Sequence, residues 1–263
     1  MQKENNDIEI KIHASSIAKT ILYYFISIEI IFLVLDVIIN YNKFINYGPI
    51  RRLFNIARED SLSSWFMTAQ TLLTALTLWL ILFLYTHHQK INKFVKTGWI
   101  ILGSFFTYLA ADDGALIHER LGSTFKLIAT DQNNENSFIH TMFSFFPSYS
   151  WQIILLPIFI FIGVFMLVFL WKIFGRSKMM LTIVLAFSFL TTAVLLDFIE
   201  GLDKKSTFNL YYFIINHYNL ENYTVQHFAK AIEELFEMFG MTLFLYTFLS
   251  YLSTVSKRSI KIM

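Results

Sequence analysis

Residues 151–173 read WQIILLPIFIFIGVFMLVFLWKI. From Trp151 to Trp171 no side chain carries a charge. A helix rises 1.5 Å per residue, so about 20 such residues cross about 30 Å of hydrocarbon. A soluble fold has no use for an uncharged run of this length, so the segment reads as a membrane span. Similar apolar segments occur at roughly 20–39, 64–86, 98–117, 180–199 and 229–254. The expected fold is therefore an all-α, polytopic membrane bundle of about six transmembrane helices, forming one domain over 1–263.

Composition agrees with that reading. The 263 residues are 56% hydrophobic and 15% charged, against about 45–50% and 25% for soluble domains. A net charge of +2 offers no field for polyanions, and no nucleic-acid partner is expected. The chain has no cysteine. Disulfides, thiol catalysis and thiolate metal sites are excluded, which leaves His, Asp and Glu as metal ligands.

Lys and Arg set the expected orientation. Twelve fall in four short segments: Lys3, Lys11 and Lys19; Lys90, Lys93 and Lys96; Lys172, Arg176 and Lys178; Lys257, Arg258 and Lys261. Eight are spread over three longer loops on the other side: Lys43, Arg51, Arg52, Arg58, Arg120, Lys126, Lys204 and Lys205. Both termini are expected in the cytoplasm, and the expected location is the inner (cytoplasmic) membrane. The outer stretches 41–57, 138–151 and 207–223 are rich in aromatic residues. Such rings favour the membrane interface, and membrane lipid is the expected partner. A homo-oligomer is compatible with the sequence. Residues 130–137 read as a solvated loop tip.

The ionisable residues inside the spans carry the functional argument. A charge at the centre of a spanning helix costs about 2.5–3.5 kcal/mol on insertion scales. Glu29, Asp36 and Asn40 share one face of span one. Asp36 and Asp112 are expected at similar depths, about 22 and 21 Å from the cytoplasmic end. Span three closes with Asp112, Asp113, His118 and Glu119, and span five with Asp197 and Glu200. Span six opens with His227, Lys230, Glu233, Glu234 and Glu237. Spans one, three and five run outward and span six runs back. All these groups except Glu29 therefore sort into the outer half of the membrane, where one polar site is expected.

Carboxylates crowded in a low dielectric must be protonated or neutralised by a cation. Oxygen ligands with imidazole suit Zn, Fe or Mn, so a divalent metal is the expected cofactor. The expected metal ligands are drawn from Asp113, His118, Glu119, Asp197, Glu200, Glu234 and Glu237. Asp36 and Asp112 are the candidate catalytic carboxylates. The competing reading is an interhelical network in which Lys230 pairs with Glu233 or Glu234 and Arg120 with Glu119. It fits Glu119, Asp203, His227 and Glu233 best. Gln70, Thr71, Thr74, Ser63 and Ser64 read as packing residues of span two. Gly240 reads as a point of close helix approach.

Three strings stand out together: SLSSWF (61–66), DDGALIHE (112–119) and EELFEMFGM (233–241). The chain resembles a family of bacterial six-span membrane proteins of no assigned activity, with acidic and His motifs at the outer ends of spans three and six. The family usually has Asp-Glu where Asp112–Asp113 stand here. The resemblance touches three spans and implies a multi-pass bacterial membrane protein. Membrane ceramidase-type hydrolases also combine Ser, Asp and His around zinc, but their His-x-x-x-His is missing here. A metal-dependent membrane enzyme acting on a lipid or amphiphile is the leading expectation. A proton- or cation-coupled transporter or channel is the second, and a non-catalytic subunit or sensor the third.

Overall fold

The computed structural model describes residues 14–88, 92–130, 138–204 and 206–259. Lys3, Lys11, Lys90, Lys205, Lys261 and residues 131–137 of the expected loop tip lie outside them. Six helices are long and apolar enough to cross a membrane: Ser16–Tyr41, Leu62–His87, Lys93–Ala115, Ser150–Phe174, Lys178–Glu200 and Asn222–Ser256. No strand occurs among the described residues. A helix satisfies every backbone N–H and C=O within itself, which lipid cannot do.

The elements run in order as α1 (Ala14–Leu35), extended by a π-helical turn (Asp36–Tyr41), α2 (Gly48–Leu53), α3 (Leu62–His88), α4 (Lys93–Ala115), α5 (Ile117–Ala129), α6 (Phe138–Phe145), α7 (Ser150–Phe174), α8 (Lys178–Glu200), α9 (Leu210–Tyr218) and α10 (Asn222–Ser259). Helix α10 packs against α1, α3 and α8, and α3 packs against α4. The three long connections, which carry α2, α5, α6 and α9, lie at one end of the bundle, called here the loop end.

Several span boundaries differ from the sequence expectation by a few residues, and two of them bear on the site. The third span stops at Ala115 because Leu116 adopts a left-handed conformation (φ 54°, ψ 44°), and α5 turns away from it. The sixth span begins at Asn222 rather than near 229. Its polar first turns stay helical because they pack on α1 and α9.

The core divides by depth. Toward the chain ends it is apolar, with Trp99, Phe106, Phe169, Phe244 and Phe248 all buried. Trp99 meets Phe169 edge-on at 5.3 Å and stacks on Tyr251 at 5.5 Å. Edge and offset aromatic pairs add about 0.5–1.5 kcal/mol beyond area burial. Gly240 allows the close approach expected of it, since a Cβ there would lie 2.9 Å from Leu190 on α8. Toward the loop end the buried groups become polar.

Candidate functional site

Each candidate carboxylate is placed by a local feature of its helix. The π-helical turn is marked by Asn42 N–H bonding back five residues to the Val37 carbonyl (3.0 Å). Such turns often sit at functional positions. Here it aims both Asp36 and Asn40 inward, and both are buried. Asp36 accepts from Asn40 Nδ2 (3.0 Å), the Ile56 backbone N–H (3.3 Å) and His227 Nε2 (2.8 Å). The His227 ring packs beside those of Tyr41 and Tyr223, 5.7 and 5.6 Å away, and the two tyrosine rings lie 6.2 Å from each other. His227 is therefore an internal partner of Asp36 and not a surface group.

At the α4–α5 junction the left-handed Leu116 reverses the chain. The reversal brings the His118 backbone N–H to Asp112 Oδ1 (2.7 Å) and His118 Nδ1 to Asp112 Oδ2 (2.7 Å). Asp112 thus orients the imidazole and leaves its Nε2 for other work. Asp113 accepts from Thr71 Oγ1 on α3 (2.8 Å). No hydrogen bond or ion pair joins Asp36 to Asp112 among the described residues. The two candidate catalytic carboxylates each serve a different histidine.

Burial pulls the His118 pKa down, but the Asp112 hydrogen bond and charge outweigh it, and the net shift is upward. A histidine with a raised folded pKa adds stability that is fully present below its unfolded value, about 6.5. That stability is lost as pH rises through the higher folded value. The melting temperature in detergent is therefore expected to fall across this window, and His118→Gln is expected to flatten the fall. A slope that His118→Gln leaves unchanged would refute the pairing.

The acidic centre lies between α8 and α10. Oxygen atoms of Asp197, Glu200 and Glu233 lie within 4.8 Å of one another, close enough to share one metal ion. Lys230 Nζ is 2.7 Å from Glu233 Oε1, 3.7 Å from Glu234 Oε1 and 4.0 Å from Asp197 Oδ1. Gln152, in the first turn of α7, donates to Asp197 Oδ2 (2.9 Å). Glu200 Oε2, Glu233 Oε2 and Gln152 Oε1 are buried oxygens without a hydrogen-bond partner. Bare buried acceptors are costly, and a cation, water molecules or protons on the carboxyls would relieve these three.

The remaining candidates surround this centre. Asp113, Glu59 and Glu200 lie within electrostatic reach of Glu234, and Asp113 within reach of Glu237. His118 and Glu119 lie within reach of Asp197. Glu119 shares a hydrogen bond with Glu59, just ahead of α3. Partial burial and then the Glu119 carboxylate push the Glu59 carboxyl above its usual range. The seven metal-ligand candidates therefore gather at one end of the bundle, although Asp197 and Glu200 alone among them join the compact triad.

Three contributors were not expected from sequence. Glu233 read as an ordinary ion-pair partner, yet it completes the triad as well as binding Lys230. Gln152 had a signal, being an amide in the first turn of an otherwise uncharged span. Glu59 had none, because only the fold brings its loop to α5.

A second buried group lies deeper. Glu29 Oε1 accepts from Gln70 Nε2 (2.8 Å) and Thr242 Oγ1 (2.5 Å). This links α1, α3 and α10 and gives Gln70 a larger part than packing. Glu29 Oε2 and Gln70 Oε1 remain without partners.

Neither a curated protein nor a solved structure matches the chain. One family model does, described as "Domain of unknown function (DUF8692)", over residues 25–252. That range holds every candidate site residue and nearly the whole bundle, so the chain belongs to the DUF8692 family.

Proposed function

We propose that this protein is a metal-dependent integral membrane enzyme, with Asp197, Glu200 and Glu233 holding one divalent ion near the outer face. The observation that carries this reading is the compact triad with its unpartnered oxygens on Glu200, Glu233 and Gln152. Lys230 is one positive charge beside Asp197, Glu200, Glu233, Glu234 and Glu237, so it cannot neutralise them all. A divalent ion supplies the missing charge, and oxygen-rich ligation suits Mn, Fe or Zn. Bound there, it would lower the pKa of a water molecule and polarise a substrate oxygen. Glu234 or Glu237, each within electrostatic reach of Glu233, would take the proton as general base. His118, oriented by Asp112, would bind the metal or substrate through Nε2. With both termini in the cytoplasm, as the Lys and Arg distribution predicts, the centre would face the outer leaflet, where a lipid or amphiphile would enter past the exposed aromatic residues of the loop end.

Metal content tests the reading. Protein purified without chelator is expected to carry about one equivalent of Mn, Fe or Zn per chain by elemental mass spectrometry. Glu200→Gln/Glu233→Gln, nearly isosteric, is expected to lose it while remaining monodisperse. A folded wild-type protein without metal would overturn the proposal.

One observation favours a second reading, a proton- or cation-coupled transporter. Glu29 Oε2 and Gln70 Oε1 are bare acceptors near mid-membrane, where carboxylates serve as proton or ion sites. The aromatic core toward the chain ends weighs against it, because the buried polar groups there are hydroxyls such as Thr74, Thr247 and Ser253, and no buried carboxylate or histidine continues the track among the described residues. A proton flux in liposomes that Glu29→Gln abolishes would favour the transporter.

A further inference from the structure

A cavity of about 500 Å³ opens at the loop end, between the α2–α3 connection and the α4–α5 junction. Its lining includes Arg52, Arg58 and Arg120 together with Glu59, Asp60 and Asp113. These charges are not mixed at random. Asp60 pairs with both Arg52 and Arg58, and the two guanidinium groups hold its carboxyl down at about 2. One aspartate thus fixes two arginines side by side and neutralises only one. Arg120 has no ion-pair partner among the described residues. The lining carries no net charge, with three arginines against Glu59, Asp60 and Asp113, but its guanidinium groups keep N–H donors beyond those spent on Asp60. The same lining holds Asp113 and Glu59, both within electrostatic reach of Glu234 and so of the acidic centre.

We propose that this cleft binds a phosphate group, with the arginines holding its outer oxygens and its inner oxygens facing the metal-binding centre. The inference deepens the enzyme reading and rests on it for the metal side alone. A guanidinium binds phosphate through paired N–H donors, and three around one cavity suit a tetrahedral dianion better than a carboxylate. A metal held by acidic residues supplies the complementary partner for the inner oxygens, as divalent ions do at phosphoryl sites. Arg52 lies on α2, where Ile50 and Leu53 are exposed, and Tyr47 just before it is 72% exposed. A short helix that shows apolar and aromatic residues beside arginines lies in the membrane interface. The mouth then stands at the level of lipid head groups, so a phosphate monoester head group is the favoured form of the ligand.

The test is equilibrium binding to the full chain in detergent and phosphate-free buffer. The probes are dioctanoyl phosphatidic acid, inorganic pyrophosphate and, as a phosphate-free control, dioctanoylglycerol. Phosphatidic acid is expected to bind and dioctanoylglycerol not. Arg120→Gln is expected to weaken phosphatidic acid by at least about tenfold, the worth of one charge-assisted hydrogen bond. Pyrophosphate matching phosphatidic acid would assign a free phosphate, and much tighter phosphatidic acid a lipid. Equal binding of phosphatidic acid and dioctanoylglycerol overturns the inference, and this comparison needs no variant. Undiminished phosphatidic acid binding by monodisperse Arg120→Gln overturns it too. Metal is read in the same samples. Metal without phosphate binding removes this inference alone. Arginine-dependent phosphate binding without metal removes the metal reading alone.

Discussion

Lys230→Met is expected to lower stability by about 3–5 kcal/mol, the cost of leaving buried charge without its partner. Lys230 Nζ stands 2.7 Å from Glu233, 3.7 Å from Glu234 and 4.0 Å from Asp197. Methionine fills similar space but removes the only cation that these three carboxylates share. Thermal unfolding in detergent measures the loss. Lys230→Arg keeps the charge and is expected to recover most of it. Lys230→Met/Glu233→Gln is expected to cost less than the sum of its parts, because the two groups share one interaction. Saturating Mn²⁺ is expected to stabilise Lys230→Met more than the wild type, since an added cation takes the lysine's place and binds only the folded chain. A Lys230→Met protein that melts with the wild type would mean that these carboxylates are already neutral. Protons would then do the work assigned to the metal.

The bundle was legible in the sequence because lipid permits so few solutions. A run such as 151–171 can only be a helix that satisfies its own backbone, and the six spans lie where the apolar runs place them. The depth sorting of acids was legible for a related reason. A charge inside a span is costly, so its position along the span carries information. What stayed hidden was lateral proximity. Glu233 lies three residues after Lys230 and four before Glu237, which places it on the edge of the same helical stripe. From sequence Glu233 reads as an ion-pair partner of Lys230, which leaves it out of the expected ligand set. The Asp36–His227 and Gln152–Asp197 contacts span 191 and 45 residues, and no helical period connects such pairs. The π-helical turn and the left-handed Leu116 were hidden as well. Val37, Ile38 and Ile39 continue the apolar pattern smoothly, and Leu is not a residue that announces positive φ. Yet those two irregularities aim Asp36 and His118 inward. The apolar pattern therefore locates the site's depth, while local backbone departures decide which carboxylate meets which histidine.

Gly122→Ala is expected to separate α5 from α7 and to disturb the site without touching an ionisable residue. A Cβ at 122 would lie 2.5 Å from the Trp151 backbone nitrogen and 2.6 Å from its Cα. No contact that short survives, and a backbone cannot rotate aside as a flexible side chain can. One helix must move. The contact matters because Trp151 precedes Gln152, whose amide holds Asp197. The Trp151 ring also meets His118 edge-on at 4.9 Å. Glycine at 122 thus seats α5 on the first turn of α7 and brings the His118–Asp112 pair toward the acidic centre. The expected cost is about 2–3 kcal/mol, at the upper end for overpacking, with a matching fall in melting temperature. Gly114→Ala is the control, since its nearest neighbour is a Thr68 methyl at an ordinary 3.4 Å, and it is expected to cost much less. If metal binds at the triad, Gly122→Ala is also expected to weaken its retention, because displacing α7 withdraws Gln152 from Asp197. A Gly122→Ala protein with native stability and full metal content would show that α5 is a loose cover over the centre. His118 and Glu119 would then have to be removed from the site.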